Sequence, residues 1–133
     1  MSTGAWTVAA DGTANVVIGQ GETFNPTLTY RDDAGALVDL TGYTARMHVR
    51  ESYGATSVAL TLTTENSAIT LGGAAGTIDL LATAAQMAAL TVPDSPGYPP
   101  SKAYVYDLEL VSGAGLVTRL MRGKFTVTRE VTR

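Results

Sequence analysis

The chain has 133 residues, a formal net charge of −3, 45% hydrophobic residues and no cysteine. That length fits one domain, and that apolar fraction can build a core without covalent staples. The missing thiols exclude a disulfide framework, thiolate catalysis and thiolate metal ligation, and the acidic balance argues against nucleic acid as a partner.

Residues 1–12 read as an N-terminal arm, followed by a single β domain over 13–133. The arm holds the one tryptophan, Trp6, a large aromatic that either folds back on its own domain or docks on a neighbouring subunit. Its start, MSTGAWTVAADG, has neither a basic region nor a long apolar run, so no signal peptide is expected. No stretch reaches the roughly 20 apolar residues of a bilayer helix. Synthesis in the cytoplasm and no membrane partner follow as expectations.

Period-2 alternation then dominates, the signature of half-buried strands. It begins at Thr27-Leu28-Thr29-Tyr30. Next, Ala45, Met47 and Val49 share one face, with Arg46, His48 and Arg50 on the other. Val58, Leu60 and Leu62 repeat the pattern. Thr83 and Gln86 form a capping box, which predicts one short helix over about 83–91 with Met87 and Leu90 inward and Pro93 as its stop. Residues 93–102, PDSPGYPPSK, hold four of the five prolines and predict a stiff, extended loop carrying Tyr98. Tyr104, Tyr106, Leu108 and Leu110 make an apolar row opposite Asp107 and Glu109. Leu116, Thr118 and Leu120 continue the alternation, and Phe125 and Val127 close it. Turn signals fall between these runs at 32–35, 72–76 and 112–115. The short intervals predict an all-β fold, an antiparallel sandwich of immunoglobulin-like type.

Candidate chemistry reduces to structure at each place. His48, the single histidine, lies between Arg46 and Arg50, where neighbouring cations disfavour a metal. Asp32, Asp33 and Asp39 lack the spacing of a calcium loop and suit turns, because their side chains bond the local backbone. Asp107 and Glu109 share one strand face and are expected to pair with Arg46, Arg50 or Arg119 rather than to flank a sugar as a glycosidase pair. The glycines at 72–76 lack the Lys-Ser/Thr of a phosphate loop. No catalytic constellation, metal site or cofactor site is expected.

What remains are contact surfaces. Five of the nine Lys and Arg residues, Arg119, Arg122, Lys124, Arg129 and Arg133, fall in the last strand region. They read as charges that blunt a sheet edge, or as a basic stripe facing an acidic neighbour. Trp6, Tyr98, Arg119, Arg122, Arg129 and Arg133 are the interface candidates. Open strand edges offer a further mode, addition of a strand from another chain.

Several words of the sequence recur in a known order: Gly21-Glu22-Thr23-Phe24, then Asp39-Leu40-Thr41-Gly42-Tyr43-Thr44-Ala45 leading to Val49-Arg50. Leu60-Thr61-Leu62-Thr63-Thr64, Ile69-Thr70-Leu71 and Gly76-Thr77-Ile78 follow. Tyr104 to Leu110 and Gly123-Lys124-Phe125-Thr126-Val127 complete the set, over about 21–129. In these the chain resembles a class of small phage virion proteins and modules that includes the N-terminal module of the baseplate upper protein family. The resemblance implies an immunoglobulin-like sandwich in a tailed-phage virion, present in several copies or as a homo-oligomer. Its implied role is a non-enzymatic tail, baseplate or fibre-attachment adaptor. Its implied partners are other virion proteins of tail, fibre, neck or capsid. Family modules often continue into a fibre or receptor-binding region; this chain stops six residues after Val127, and the loop before Tyr104 is longer than usual. These departures lead us to expect no receptor-binding domain in the chain. Alternatives are a capsid-decorating protein and a carbohydrate-binding module that touches the host surface, the latter requiring an exposed aromatic platform beside a groove.

Overall fold

The described strands form two sheets packed on one apolar core, an all-β sandwich. The computed structural model describes residues 7–8, 12–93 and 100–131. In chain order the elements are β1 (Thr7–Val8), β2 (Ala14–Gly19), β3 (Thr27–Thr29), β4 (Thr44–Arg50), β5 (Leu60–Thr63), β6 (Ile69–Leu71) and β7 (Thr77–Leu80). Helix α1 (Ala84–Ala88), β8 (Ser101–Val111) and β9 (Val117–Thr128) follow. The larger sheet runs β1-β2-β9-β8-β4-β5 and the smaller β3-β7-β6.

Alternation decides the faces. Ala45, Met47 and Val49 of β4, Leu60 and Leu62 of β5, and Tyr104, Tyr106, Leu108 and Leu110 of β8 are all buried. Ile69, Ile78 and Leu80 answer them from the smaller sheet. Phe24, which bridges to Ala82 ahead of β3, meets Phe125 of β9 edge-on at 5.2 Å and links the two sheets. Among the described residues no polar or charged side chain is buried.

Two pairings were not foreseeable from alternation. β2 lies parallel to β9, with Val16 opposite Phe125 and Ile18 opposite Val127, whereas the other described pairs are antiparallel. From Arg122 onward β9 is therefore interior to its sheet, which corrects the edge-defence reading for Arg122 and Lys124. The second is a bulge: Leu108 pairs with Met121 but Glu109 with Arg119, so Leu120 is an extra residue. The rows Leu116/Thr118/Leu120 and Phe125/Val127 have opposite parity, and one inserted residue reconciles them. Leu116 itself is 72% exposed at the hairpin tip and not part of a half-buried row.

Local chemistry sets the turns. Asp39 Oδ1 accepts bonds from the Thr41 hydroxyl at 2.6 Å and the Thr41 amide at 2.9 Å. Those bonds, the hydroxyl's first, hold the carboxyl below its ordinary range. Gly42 then takes φ +82°, a conformation open to glycine, and Leu40 is buried. The Thr83–Gln86 capping box is present. The helix ends at Ala88 rather than near 91, because Leu90 turns into the core and Gln20 Nε2 donates to its carbonyl at 2.9 Å. The proline-rich loop expected over 93–102 gives way to β8 at Ser101.

At the join of β2 and β9 the backbones come close. A Cβ on Gly123 would sit 2.2 Å from the Ala14 carbonyl oxygen. Tyr106, the cross-strand partner of Gly123, reaches past it and donates its hydroxyl to that same oxygen at 2.6 Å. The Tyr104 hydroxyl donates to the Thr91 carbonyl at 2.7 Å. The Tyr104 hydroxyl is part-buried, whereas that of Tyr106 ends inside the core.

Gly123→Ala should destabilise the fold by about 1–3 kcal/mol through overpacking, read by urea denaturation. Tyr106→Phe removes the buried bond to the Ala14 carbonyl and should cost about 1 kcal/mol at neutral pH. Burial also pushes the Tyr106 phenol above its ordinary value, so the folded chain holds this proton more tightly than the unfolded one. Its contribution is complete below the unfolded value of about 10 and falls as pH rises beyond it. Unfolding curves from pH 8 to 11 should therefore be flatter in Tyr106→Phe than in the parent.

Candidate functional site

Of the six expected contact residues, Trp6, Tyr98 and Arg133 lie outside the described residues. Arg129 is an internal clip: its Nη1 donates to the Val92 carbonyl at 2.9 Å and its amide to the Pro100 carbonyl at 2.8 Å. It thereby ties the two ends of the proline-rich segment to the end of β9. Arg119 and Arg122 share the outer face of the larger sheet. Three positions apart in a regular strand they would point opposite ways; the bulge at Leu120 brings both to one side, opposite Glu109 and Asp107.

That outer face carries a row of cross-strand charges. Arg46 Nε lies 2.8 Å from Glu109 Oε1, and Arg119 Nε 3.5 Å from Asp107 Oδ2. These are the pairings expected for the two carboxylates. Both are solvent-accessible and each contributes at most about 1 kcal/mol. Arg50 instead donates to the carbonyls of Ala55 and Thr56 at 3.1 and 3.2 Å. His48 is half-buried opposite Asp107. Arg122 and Lys124 have no carboxylate within ion-pair distance among the described residues.

Residues 51–57 lie beside this face and present Tyr53, which is 76% exposed. The segment is held at its base by Arg50 and by the ion pair of Glu51 with Lys102. Two shallow hollows flank it. One, of about 260 Å³, has walls from Arg46, His48, Arg50, Asp107 and Glu109; the other lies over Asn15, Arg122, Gly123 and Lys124. Tyr53 and Val105 border both, so the two hollows are neighbours, together termed the trough. Sequence reasoning missed Tyr53 because it belongs to no alternating row.

The remaining candidates hold turns. Asp32 Oδ1 accepts the amides of Ala34 and Ala36, both at 2.9 Å. The glycines at 72–76 make a 3₁₀ turn that receives the Leu40 amide on the Gly73 carbonyl at 2.9 Å. Among the described residues no three His, Asp or Glu side chains converge as metal ligands.

Sheet edges differ in how open they are. The outward groups of β5 are closed by Asn66: its Nδ2 donates to the Thr61 carbonyl at 3.2 Å and its Oδ1 accepts the Thr63 amide at 3.0 Å. One side-chain amide thus imitates a neighbouring strand and leaves β5 poorly suited to strand addition. The β8–β9 hairpin tip exposes Leu116 and Val117, the latter by 54%.

No protein-family model matches the chain, and no curated protein matches it.

Asn66→Ala should unpair both β5 groups, lowering stability by about 1 kcal/mol and opening the edge. Urea denaturation and sedimentation across a concentration series should show the loss together with new self-association. A variant that stays monomeric would show that this edge needs no cap.

Proposed function

We propose that the chain is a structural protein of a tailed-phage virion, an adaptor of tail, baseplate or fibre attachment that works through protein–protein contacts rather than catalysis. The observation that carries this reading is the correspondence between the family words and the packing. Phe24, Leu40, Ala45, Val49, Leu60, Leu62, Ile69 and Ile78 all fall at buried positions, as do Tyr104, Tyr106, Leu108, Leu110, Phe125 and Val127. The likeness therefore lies in the residues that build a sandwich of this kind, in the same order. A rigid core of this type suits an adaptor, since little conformational entropy is lost when it docks.

The β8–β9 hairpin tip is the contact that this reading favours. Leu116 and Val117 are adjacent, apolar and exposed, on a turn closed by Ser112 and Leu116 through backbone bonds. Docking of the two side chains would remove their apolar surface from water.

In infected cells, a virion protein should co-purify with intact particles at fixed stoichiometry. Labelling and electron microscopy should place it at tail tip or neck; hundreds of copies on the head would assign it to capsid decoration instead. Leu116→Glu with Val117→Glu should abolish incorporation while leaving the melting temperature unchanged. Absence from washed particles would overturn the proposal.

A further inference from the structure

We infer that the trough beneath Tyr53 is a binding site for an acidic carbohydrate, a sugar bearing a carboxylate of the uronic or sialic type. Three independent features of the outer face converge on this chemistry.

The first is the aromatic platform. Tyr53, 76% exposed as a residue, offers an aromatic ring, to whose flat apolar face the C–H face of a pyranose is complementary. The ring does not hang on a loose loop. Arg50 grips the carbonyls of Ala55 and Thr56 behind it, and Glu51 is paired with Lys102 before it. Such anchoring lowers the ordering cost when a ligand stacks.

The second is the composition of the wall. Arg46, His48, Asp107 and Glu109 stand on paired positions of β4 and β8. A row of basic side chains on β4 therefore faces a row of carboxylates on β8, at spacings that the sheet keeps rigid. Vicinal hydroxyls each donate and accept, and such a wall satisfies both. A nucleic acid would meet Asp107 and Glu109 as like charges, and an apolar peptide would have to strip them of water. At about 260 Å³ the hollow beside this wall lies just under the ~300–1,000 Å³ of typical ligand clefts, a size for a small saccharide.

The third is the local charge. Across both hollows the cations Arg46, Arg50, Arg122 and Lys124 outnumber the carboxylates Asp107 and Glu109, on a chain whose net charge is −3. Glu109 engages Arg46, whereas Arg122 and Lys124 are left without a carboxylate among the described residues. They flank the hollow on the far side of Tyr53. A sugar stacked on the ring places its carboxylate there, in a charge-assisted contact, and its hydroxyls toward β4 and β8.

This site is independent of the virion reading and can fail or succeed apart from it. The full chain would be titrated with galacturonic acid and with sialyllactose, using calorimetry and saturation-transfer NMR, beside a neutral dextran oligomer and polyglutamate. Saturable binding of at least one acidic sugar is expected, tighter than dextran and weakened by salt. Tyr53→Ala should weaken it by about tenfold or more, the scale of an aromatic anchor, while Tyr53→Phe retains it. Arg122→Gln with Lys124→Gln should erase the preference for acidic over neutral sugar. Because Tyr53 is exposed, the melting temperature of each Tyr53 variant should equal the parent's. No saturable binding, binding unaffected by Tyr53→Ala, or equal binding of polyglutamate would each overturn the assignment; the last would make the face a contact for acidic protein.

Discussion

The Ala14 carbonyl oxygen is the point on which the larger sheet closes. β2 can lie against β9 only because residue 123 has no side chain, and Tyr106 crosses that gap to donate to the same oxygen. Beside it, Asn15 Oδ1 accepts the Lys124 amide at 3.0 Å across 109 residues of chain. Loop-closure entropy opposes so distant a pairing, which must be repaid by packing. The repayment is visible where Val16 and Ile18 join Phe125 and Val127 in the core. Phe125 then meets both Phe24, at 5.2 Å, and Tyr106, at 6.2 Å. The smaller sheet is thus held to the same strand that β2 completes.

Interior placement of β9 has a consequence on the opposite face. From Arg122 onward its outward side chains are flanked by β2 and β8 rather than by solvent at an edge, so Arg122 and Lys124 become walls of a trough. The bulge at Leu120 extends this effect. It turns Arg119 to the side of Arg122, and Asp107 and Glu109 on β8 stand against them. One extra residue both corrects the parity of the core row and composes the charged outer surface. Packing and surface chemistry are coupled through it.

The surface divides into regions with different physical tasks. Along β5 a single amide from Asn66 satisfies the exposed ladder and discourages association. Arg129 closes the base of the proline-rich segment from within. At the hairpin tip, apolar side chains face water, and over β4 and β8 a tethered tyrosine overhangs mixed charge. The last two, an apolar tip and a polar trough, lie on elements that the core already makes rigid.

Much of the fold is written in local pattern. Alternation in 43–50, 60–63 and 104–110 marks core faces correctly, because burial on one side of a strand imposes a period of two whatever the neighbour. The Thr83–Gln86 box and the Asp39 turn are equally local, each completed within three residues. The ion pairs of Asp107 and Glu109 were legible as well, since opposite charges on facing strands have few other partners. Strand order was not legible, nor was the parallel seating of β2 on β9, the displacement of β9 from edge to interior, or the inward end of Tyr106. Those depend on which backbones approach within hydrogen-bond distance, and no local signal encodes that. Tyr53 is the clearest case. In the sequence it is one tyrosine in an irregular stretch; only the folding of residues 51–57 over β4 and β8 sets an exposed ring above an array of charges contributed from separate strands.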